Sequence, residues 1–520
     1  MNSFLQRFAL IVSGVLHGFD RMRFRGSKRQ LCHVPGVMSW LGHVRIPLVE
    51  YKQFVRDTTA SLWRGIEGPA DDAKLYQFVN NLRESKEEIA LQMAAERKQS
   101  SGLIAVLGCV EPCQTVQVRK NRETKMLELQ VEQSKCKHYY HYYLDPIYGL
   151  RYTRLQTWFP FTMHVGLNGR DWLAQQLTKA GVDFHKLDNS FSWIEDFAAA
   201  QKLADAQLET DWPPVLNQWV AESHRLAEGF LPCHVPYYWS LETGEYATDF
   251  AFHSKEDLQY IYPLLVEHAR TTLRSTDLLR FMGYRVLQNG KPSQKLAGEV
   301  TTRIKELVEG TCVKHYVLND VLKMYDKFGI NLRLENDLHN LRHFKVYRTK
   351  ENDPDGPKEM LRLRKSVEDI PERAKLCQEI NARYAESLAT VTDKMPLGEL
   401  TNDLGKRTNW KGRTKRPLNP LAAEDVALLE AVSDGKFMIA GFRNRDIREI
   451  LFRDQPAMNT AEAKRQSAKV TRLFQLLRAH GIINKIANTN RYQVSEKGQK
   501  NLSALLAARR ADTKTLLQAA

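Results

Sequence analysis

The apolar positions of the chain change period several times, and each change predicts an element. Residues 8–16 (FALIVSGVL) form an apolar run between Arg7 and the polar His17, Asp20 and Arg21. A membrane-spanning helix needs about 20 such residues, and no small-x-small cleavage site follows. The run therefore predicts a buried amphipathic helix, not an anchor or an export signal. Residues 71–98 predict a long charged helix or a helix pair. From Gly102 the period drops to two. Residues 102–110 predict a strand, 115–130 a hairpin about the turn 120–123, and 136–143 with 150–165 a further strand pair around 145–149. Asn168-Gly169 turns into a helix at 171–179, and mixed helices fill 190–231. Residues 236–252 read as a hairpin about Thr243-Gly244, and Ser254 caps the next helix, with Glu256 close to the capping-box position. A strand meander is predicted over 311–348 and a return to helix over 357–391. The fold class is α+β, with a multi-strand mixed body. Its division is a helical N-terminal region (1–100), two α+β units (101–232 and 233–400), a basic linker (401–420) and a C-terminal domain (421–520).

The C-terminal domain has the clearest pattern. Helices are predicted at 424–432, ended by Asp434-Gly435; at 444–452, with Asn444 as N-cap; and at 460–480, capped by Thr460 and stopped by Gly481. On the third helix Val470, Leu473, Phe474 and Leu477 make a core stripe. Arg465, Lys469 and Arg472 fall at i, i+4 and i+7 on another side, with Lys464 beside them. A short hairpin follows, 482–486 and 491–494 about the turn 487–490, and Ser495 opens a last helix. This order of elements, with the run LLRAHGIINKIANTNRYQVSEKGQ, resembles a winged helix. The resemblance implies that Lys464, Arg465, Lys469 and Arg472 face a major groove and that Arg491 lies along the wing. Such arginines hold phosphates or fork onto guanine edges. Winged helices that bind proteins are the alternative, but they lack so basic a face.

Charge sharpens this picture. The 520 residues carry a formal net charge of +15 and a pI near 9.3, with 43% hydrophobic and 9% aromatic residues. That is a folded, multi-domain chain with a preference for polyanions. From Leu404 onward there are 23 Lys and Arg against 10 Asp and Glu, so nearly all the excess lies at one end. Within it, residues 404–420 (LGKRTNWKGRTKRPLNP) read as a linker whose Lys411, Arg413, Lys415 and Arg416 track phosphates. The implied partner is nucleic acid, DNA or RNA, and no membrane; a homo-oligomer stays open. Seven sparsely placed cysteines argue against a secreted disulfide framework and for a reducing cytoplasm. No P-loop, nucleophile elbow or dinucleotide fingerprint occurs in the sequence.

Candidate chemistry lies in the body. Two β regions look alike: Lys137-His138-Tyr139, Asp145, Gly149 and Arg154-Leu155 against Lys314-His315-Tyr316, Asp326, Gly329 and Arg333-Leu334. This suggests a duplicated sheet. The second copy contains KMYDKFGINLRLE (323–335), which resembles a piece of the replication-initiation proteins of some plasmids and filamentous phages. That resemblance implies Tyr325 as a nucleophile toward a DNA phosphate, with Glu335 and His315 holding a metal, Mg²⁺ or Mn²⁺. The chain departs from such nickases in lacking a His-x-His pair; the nearest is His138-Tyr-Tyr-His141. Read from the residues alone, Asp326 is a hairpin-turn residue.

As a set, Asp20, Asp145, Asp326 and Glu335 sit at strand ends or turns beside bases, which suits a phosphodiester site. Cys109, Cys113, Cys136, His138 and His141 could make a zinc site by proximity, but buried cysteines are the better account of their spacing. Tyr139, Tyr140, Tyr142, Tyr143, Tyr148 and Tyr152 interleave with Lys137, Arg151 and Arg154. That pattern serves a sheet core, a base-stacking face, or one on each side. Residues 155–177 (LQTWFPFTMHVGLNGRDWLAQQL) also resemble a stretch of long bacterial mobile-element proteins, which implies no particular activity. Three readings follow. The first is nucleic-acid binding in a mobile-element, replication or transposition setting. The second is a metal-dependent nuclease or tyrosine nickase, which predicts Asp145, Asp326 and Glu335 or Asp20 within reach of one metal. The third is a ligand-sensing transcriptional regulator, which predicts an apolar pocket.

Overall fold

The computed structural model of the chain describes residues 1–80, 83–223, 231–284, 286, 299–308, 310–351, 353, 355–391, 404–419, 422–437, 441–486 and 489–510. In chain order the first half contains α1 (Asn2–Arg7), β1 (Val12–Ser27), α2 (Val34–Val44), α3 (Tyr51–Asp72), β2 (Tyr76–Phe78) and α4 (Lys86–Glu96). The strands β3 (Gly102–Lys120), β4 (Leu127–Asp145), β5 (Gly149–Gln156) and β6 (Met163–Asn168) follow. This half closes with α5 (Gly169–Ala180), β7 (Phe184–Leu187), β8 (Ser190–Ile194), α6 (Phe197–Ala206) and α7 (Trp212–Ser223). The second half has β9 (Tyr238–Phe252), α8 (Lys255–Thr271), α9 (Ser275–Phe281), β10 (Val300–Leu307), β11 (Gly310–Val317), β12 (Asp320–Lys327) and β13 (Asn331–Asp337). A small hairpin, β14 (Lys345–Arg348) and β15 (Glu359–Arg362), leads to α10 (Ile370–Leu388).

Eleven of these strands form one sheet in the order β10-β11-β12-β13-β9-β1-β6-β5-β4-β3-β2, antiparallel except where β2 joins β3. With helices at 41% and strands at 33%, the chain is α+β around a large mixed sheet. The order is nearly palindromic. Each half starts with a strand, makes a helical excursion, and returns through a four-strand meander whose last strand pairs with the first. The first strands of the two halves, β1 and β9, then pair with each other at the centre.

Three expectations change here. Residues 8–16 are not a helix: α1 ends at Arg7 and β1 begins at Val12, so the supposedly helical region 1–100 supplies a central strand. A short apolar run is compatible with a helix or with a strand buried on both edges, and the pairing partners decide which. Nor do residues 236–252 turn back at Thr243-Gly244. They form the single strand β9, which carries an irregularity opposite Met22 and Arg23. Gly244 is needed there because a Cβ would lie 3.0–3.1 Å from Leu241 and Phe19. Finally, the repeated residues match in part only. Lys137–Tyr139 and Lys314–Tyr316 lie on corresponding strands, β4 and β11. Asp145 ends β4 whereas Asp326 is in β12, and Arg154 is in β5 whereas Arg333 is in β13. The duplication is one of topology.

One face of the sheet is packed by helices. α10 lies over β9 and β13, α8 beside it, α3 over β3 and α7 over β5. Met22 and Phe24 of β1 enter this core, Phe24 with its ring 4.7 Å from that of Trp212. The other face is polar over much of its middle. It is roofed at one end by α5, α6 and the β7–β8 hairpin through Leu16, Trp172, Leu173, Leu177 and Phe191. A register shift between Phe19 and Met22 brings Asp20 and Arg21, neighbours in sequence, to the same open side.

The C-terminal unit has its own core. It contains β16 (Thr408–Trp410), β17 (Arg413–Lys415), α11 (Ala423–Val432), α12 (Asn444–Leu451), α13 (Thr460–Ala479), β18 (Ile483–Lys485), β19 (Tyr492–Val494) and α14 (Glu496–Arg510). The described part of the expected linker is folded against this core. Lys411 and Gly412, at φ 52° and 73°, turn β16 into β17, and Leu404 and Leu418 on either side are 1% exposed. Asn459, not Thr460, caps α13, its side chain accepting from the Glu462 amide at 2.9 Å. Asn444 is not a cap either; its amide group donates across to Ser467 O and Thr471 Oγ1, both at 2.9 Å. Residues 487 and 488 of the expected wing turn lie outside the described residues. No helix among the described residues is long and apolar enough to cross a membrane.

Candidate functional site

On the open face, β9, β12, β13 and the bulge of β1 converge on a cavity of about 240 Å³. Its floor holds Asp20, Glu245 and Glu335, each offering an oxygen within 4.8 Å of the other two. Strand alternation explains the set: Glu335 is paired with Ala247, two residues from Glu245, and Tyr325 lies opposite Arg333 on the same face. The Tyr325 hydroxyl donates to Glu335 Oε2 at 2.8 Å. Lys323 bridges the two glutamates, at 3.2 Å from Glu245 and in close contact with Glu335. Arg21, Lys305 and Lys314 also line the cavity, Arg21 and Lys305 with exposed side chains.

Behind the floor runs a buried ion network. Arg333, fully buried, donates to Asp249 at 2.5 and 2.9 Å and to Asp20 Oδ2 at 2.8 Å, and Arg170 reaches Asp249 at 3.0 Å. Asn189 also donates to Asp20 Oδ2. Asp20 Oδ1 is buried and accepts no hydrogen bond among the described residues. Burial raises the Asp20 pKa to about 6 against the pull of Arg333. For Glu335, burial would raise the pKa, but Lys323 and Arg333 outweigh it and hold the group below its usual range. Glu245 is raised by burial and by the charge of Glu335. Burial and then Glu335 push the Tyr325 hydroxyl well up, so it is a hydrogen-bond donor at neutral pH.

The structure thus brings Tyr325, Glu335 and Asp20 to one cavity and leaves the other expected residues elsewhere. His315 is on the opposite face of β11, bonded to Thr302 Oγ1 at 2.8 Å and to Tyr384 Oη at 2.9 Å beneath α10. A metal role beside Glu335 is excluded for it by strand alternation. Asp326 follows Tyr325 in β12 and therefore also faces away, against Gly310, where a Cβ would lie 2.2 Å from Asp326 Oδ1. Asp145 organises the β4–β5 turn in the other half of the sheet. It accepts from the Ile147 and Tyr148 amides and pairs with Arg151 at 2.9 Å. Glu245 and Lys323 were not picked out from the sequence. Reading Thr243-Gly244 as a turn hid the alternation of Glu245, Ala247 and Asp249 along one strand face.

Of the cysteine–histidine group, Cys113 and Cys136 come within 3.2 Å and His138 joins them. His141 takes the other face of β4.

A second feature is the cationic side of α13. Lys464, Arg465, Lys469 and Arg472 are all exposed, opposite the buried Val470, Phe474 and Leu477. Lys469 is 4.0 Å from Glu424; Lys464, Arg465 and Arg472 have no ion-pair partner among the described residues. The β16–β17 hairpin continues this side, with Lys415 bonded to Gln475 at 3.1 Å and Arg478 over the Trp410 ring at 5.2 Å. Lys411 and Arg413 stand exposed at its tip, and Arg416 is tied to Asp425 by two bonds of 2.6 and 2.7 Å. Arg491 adjoins the short hairpin and donates to Gly441 O at 3.3 Å.

Comparison with family models, curated proteins and solved structures finds no match.

Proposed function

We propose that this protein binds nucleic acid through the cationic side of α13 and handles the bound strand on the open face of the sheet. The observation that supports this most directly is the exposed, largely unpaired row Lys464, Arg465, Lys469 and Arg472. Such a row gains little within the protein and much from a phosphate backbone through counterion release. Three helices, a short hairpin and a final helix on one core support a winged-helix reading of this unit. A replication, transposition or other mobile-element setting fits a DNA- or RNA-handling chain of this make. The test is fluorescence anisotropy of the full chain with single- and double-stranded DNA and RNA across a salt series. Replacing the four cations by alanine should weaken binding at least tenfold and flatten the log–log salt slope by about one for each phosphate no longer neutralised. Unchanged affinity and slope would overturn the reading.

A second reading, phosphodiester cleavage, is favoured by the convergence of Asp20, Glu245 and Glu335, with Asp20 Oδ1 buried and without a hydrogen-bond partner among the described residues. Asp20, Glu245 and Glu335 would hold a divalent cation such as Mg²⁺ or Mn²⁺, which supplies charge neutralisation to a phosphate. In this reading Tyr325 would attack phosphorus: Glu335 takes the hydroxyl proton as the Tyr–O–P bond forms and gives it to the departing oxygen as the P–O ester bond breaks. Incubating labelled strands with the protein and Mg²⁺ or Mn²⁺ tests it. Cleavage by the wild type and its loss in Tyr325→Phe and Glu335→Gln support the assignment, whereas equal cleavage by all three sinks it. A regulator's ligand site has less support, since the open-face cavities are lined mainly by charged and polar side chains.

A further inference from the structure

Where β1 and β9 leave the centre of the open face, they form one wall of a cavity of about 680 Å³, within the range of small-ligand sites. The opposite wall comes from the segment between β13 and α10. Seven Lys and Arg side chains line it and only one carboxylate, Glu351. Three of the seven are already engaged. Arg348 and Arg364 hold Asp369, at 3.2 and 2.6 Å, and Arg29 pairs with Glu351 at 2.9 Å while lying 3.4 Å over the Tyr238 ring. The other four, Arg25, Arg342, Arg362 and Lys365, have no carboxylate partner among the described residues. Unpaired cations turned toward one space repel each other, a strain that an anion of several charges relieves. Guanidinium forks match phosphate oxygens in particular.

Strand β1 runs from the three-carboxylate cavity to this one. Arg21, Arg23 and Arg25 occupy alternate positions of β1 on the open face, with Met22 and Phe24 between them in the core. Arg21 lines the acidic cavity and Arg25 the basic one, about 13 Å apart by strand rise.

We infer that this basic cavity binds a chain of phosphate groups, supplied either by the backbone of a strand lying along β1 or by a free nucleoside polyphosphate. The inference rests on the cavity and not on α13. Titration calorimetry of the full chain with inorganic tripolyphosphate tests it. Saturable binding is expected, weakened at least tenfold in the exposed pair Arg342→Ala/Arg362→Ala and strengthened severalfold in Glu351→Ala, which removes the competing internal anion. The same tenfold loss is expected when Arg342→Ala/Arg362→Ala is made in a Lys469→Ala/Arg472→Ala background, so failure of the α13 reading leaves this result intact. ATP binding more than tenfold tighter than tripolyphosphate identifies a nucleotide site. Competition between tripolyphosphate and an oligonucleotide, lost in the double variant, identifies the strand backbone. Binding that does not saturate, or that is equal in wild type and double variant, overturns the inference.

Discussion

The two halves of the sheet carry cavities of nearly equal size on equivalent strands, and the two differ in how their carboxylates are partnered. The cavity of about 240 Å³ uses β11, β12, β13, β9 and β1, with Lys305 and Leu307 from β10 and Asn189 from the β7–β8 turn; its counterpart of about 250 Å³ uses β4, β5, β6, β1 and β9, with Glu111 from β3. In the counterpart both acids are paired internally, Glu242 with Arg23 at 3.0 Å and with His164 at 3.4 Å. Glu111 receives Arg154 at 2.8–2.9 Å, Lys86 at 3.1 Å and the Tyr140 hydroxyl at 2.9 Å. Despite burial these partners hold it at about pKa 2. His164 stands on β6, the strand that corresponds to β13 with its Glu335. In the first cavity Lys323 is shared by Glu245 and Glu335, Asp20 is held by the buried Arg333 and by Asn189, and the three carboxylates lie within 4.8 Å of one another. The same topology therefore gives one half carboxylates that are paired separately and the other half three carboxylates that converge.

This contrast is easiest to break at the buried ions. Arg333→Ala strands Asp249 and Asp20 in the interior and should cost about 3–5 kcal/mol, while Arg154→Ala, partly exposed, should cost about 1–2 kcal/mol. Urea denaturation measures both, and equal losses would erase the distinction. Next in size is the response to cations. Mn²⁺ at a hundredfold excess over its Kd should stabilise the wild type by about 2.7 kcal/mol, seen as a raised Tm. The gain should vanish in Glu245→Gln and persist in Glu111→Gln; a rise that survives Glu245→Gln would place the ion elsewhere.

Histidines sharpen the comparison further. His138 and His315 occupy corresponding strands but opposite faces, and burial lowers them to about 3 and about 4, in His138 with help from Arg154. Their folded values lie below the ordinary 6.5, so between pH 6.5 and 4 the unfolded chain binds more protons and stability falls as pH falls. His315→Gln should remove on the order of 2 kcal/mol of that acid sensitivity, read from denaturation midpoints at pH 7 and pH 4.5. An unchanged slope would mean that His315 is not buried neutral. The smallest difference is expected for the tyrosines. Tyr325→Phe and Tyr140→Phe each lose one hydrogen bond to a carboxylate, about 1–2 kcal/mol, but only Tyr325→Phe should affect any cleavage.

Local patterns were readable where an element organises itself. The cationic side of α13 followed from i, i+4, i+7 spacing, and period two marked 102–165 as extended chain, although 102–110 and 115–120 are parts of one strand β3, 127–130 and 136–143 parts of β4, and 150–165 is divided between β5 and β6. Readings failed where long-range pairing overrode a local signal. An apolar run became a central strand, a Thr-Gly pair became a bulge instead of a turn, and a basic stretch became a hairpin docked through Leu404 and Leu418. The candidate site was half legible. Tyr325 and Glu335 lie on adjacent strands of one meander, so the motif KMYDKFGINLRLE contains both. His315 was misplaced because strand alternation sends it to the other face.

What the sequence by itself determined was helix faces, strand periods and the location of excess charge, because these depend on neighbours within a few residues. Only the tertiary structure decided which strands lie side by side, and hence that Asp20, Glu245 and Glu335 meet while Asp145 and Asp326 do not. The reason is that sheet pairing joins distant segments, and a single bulge in β1 exchanges the side chains presented to the two faces.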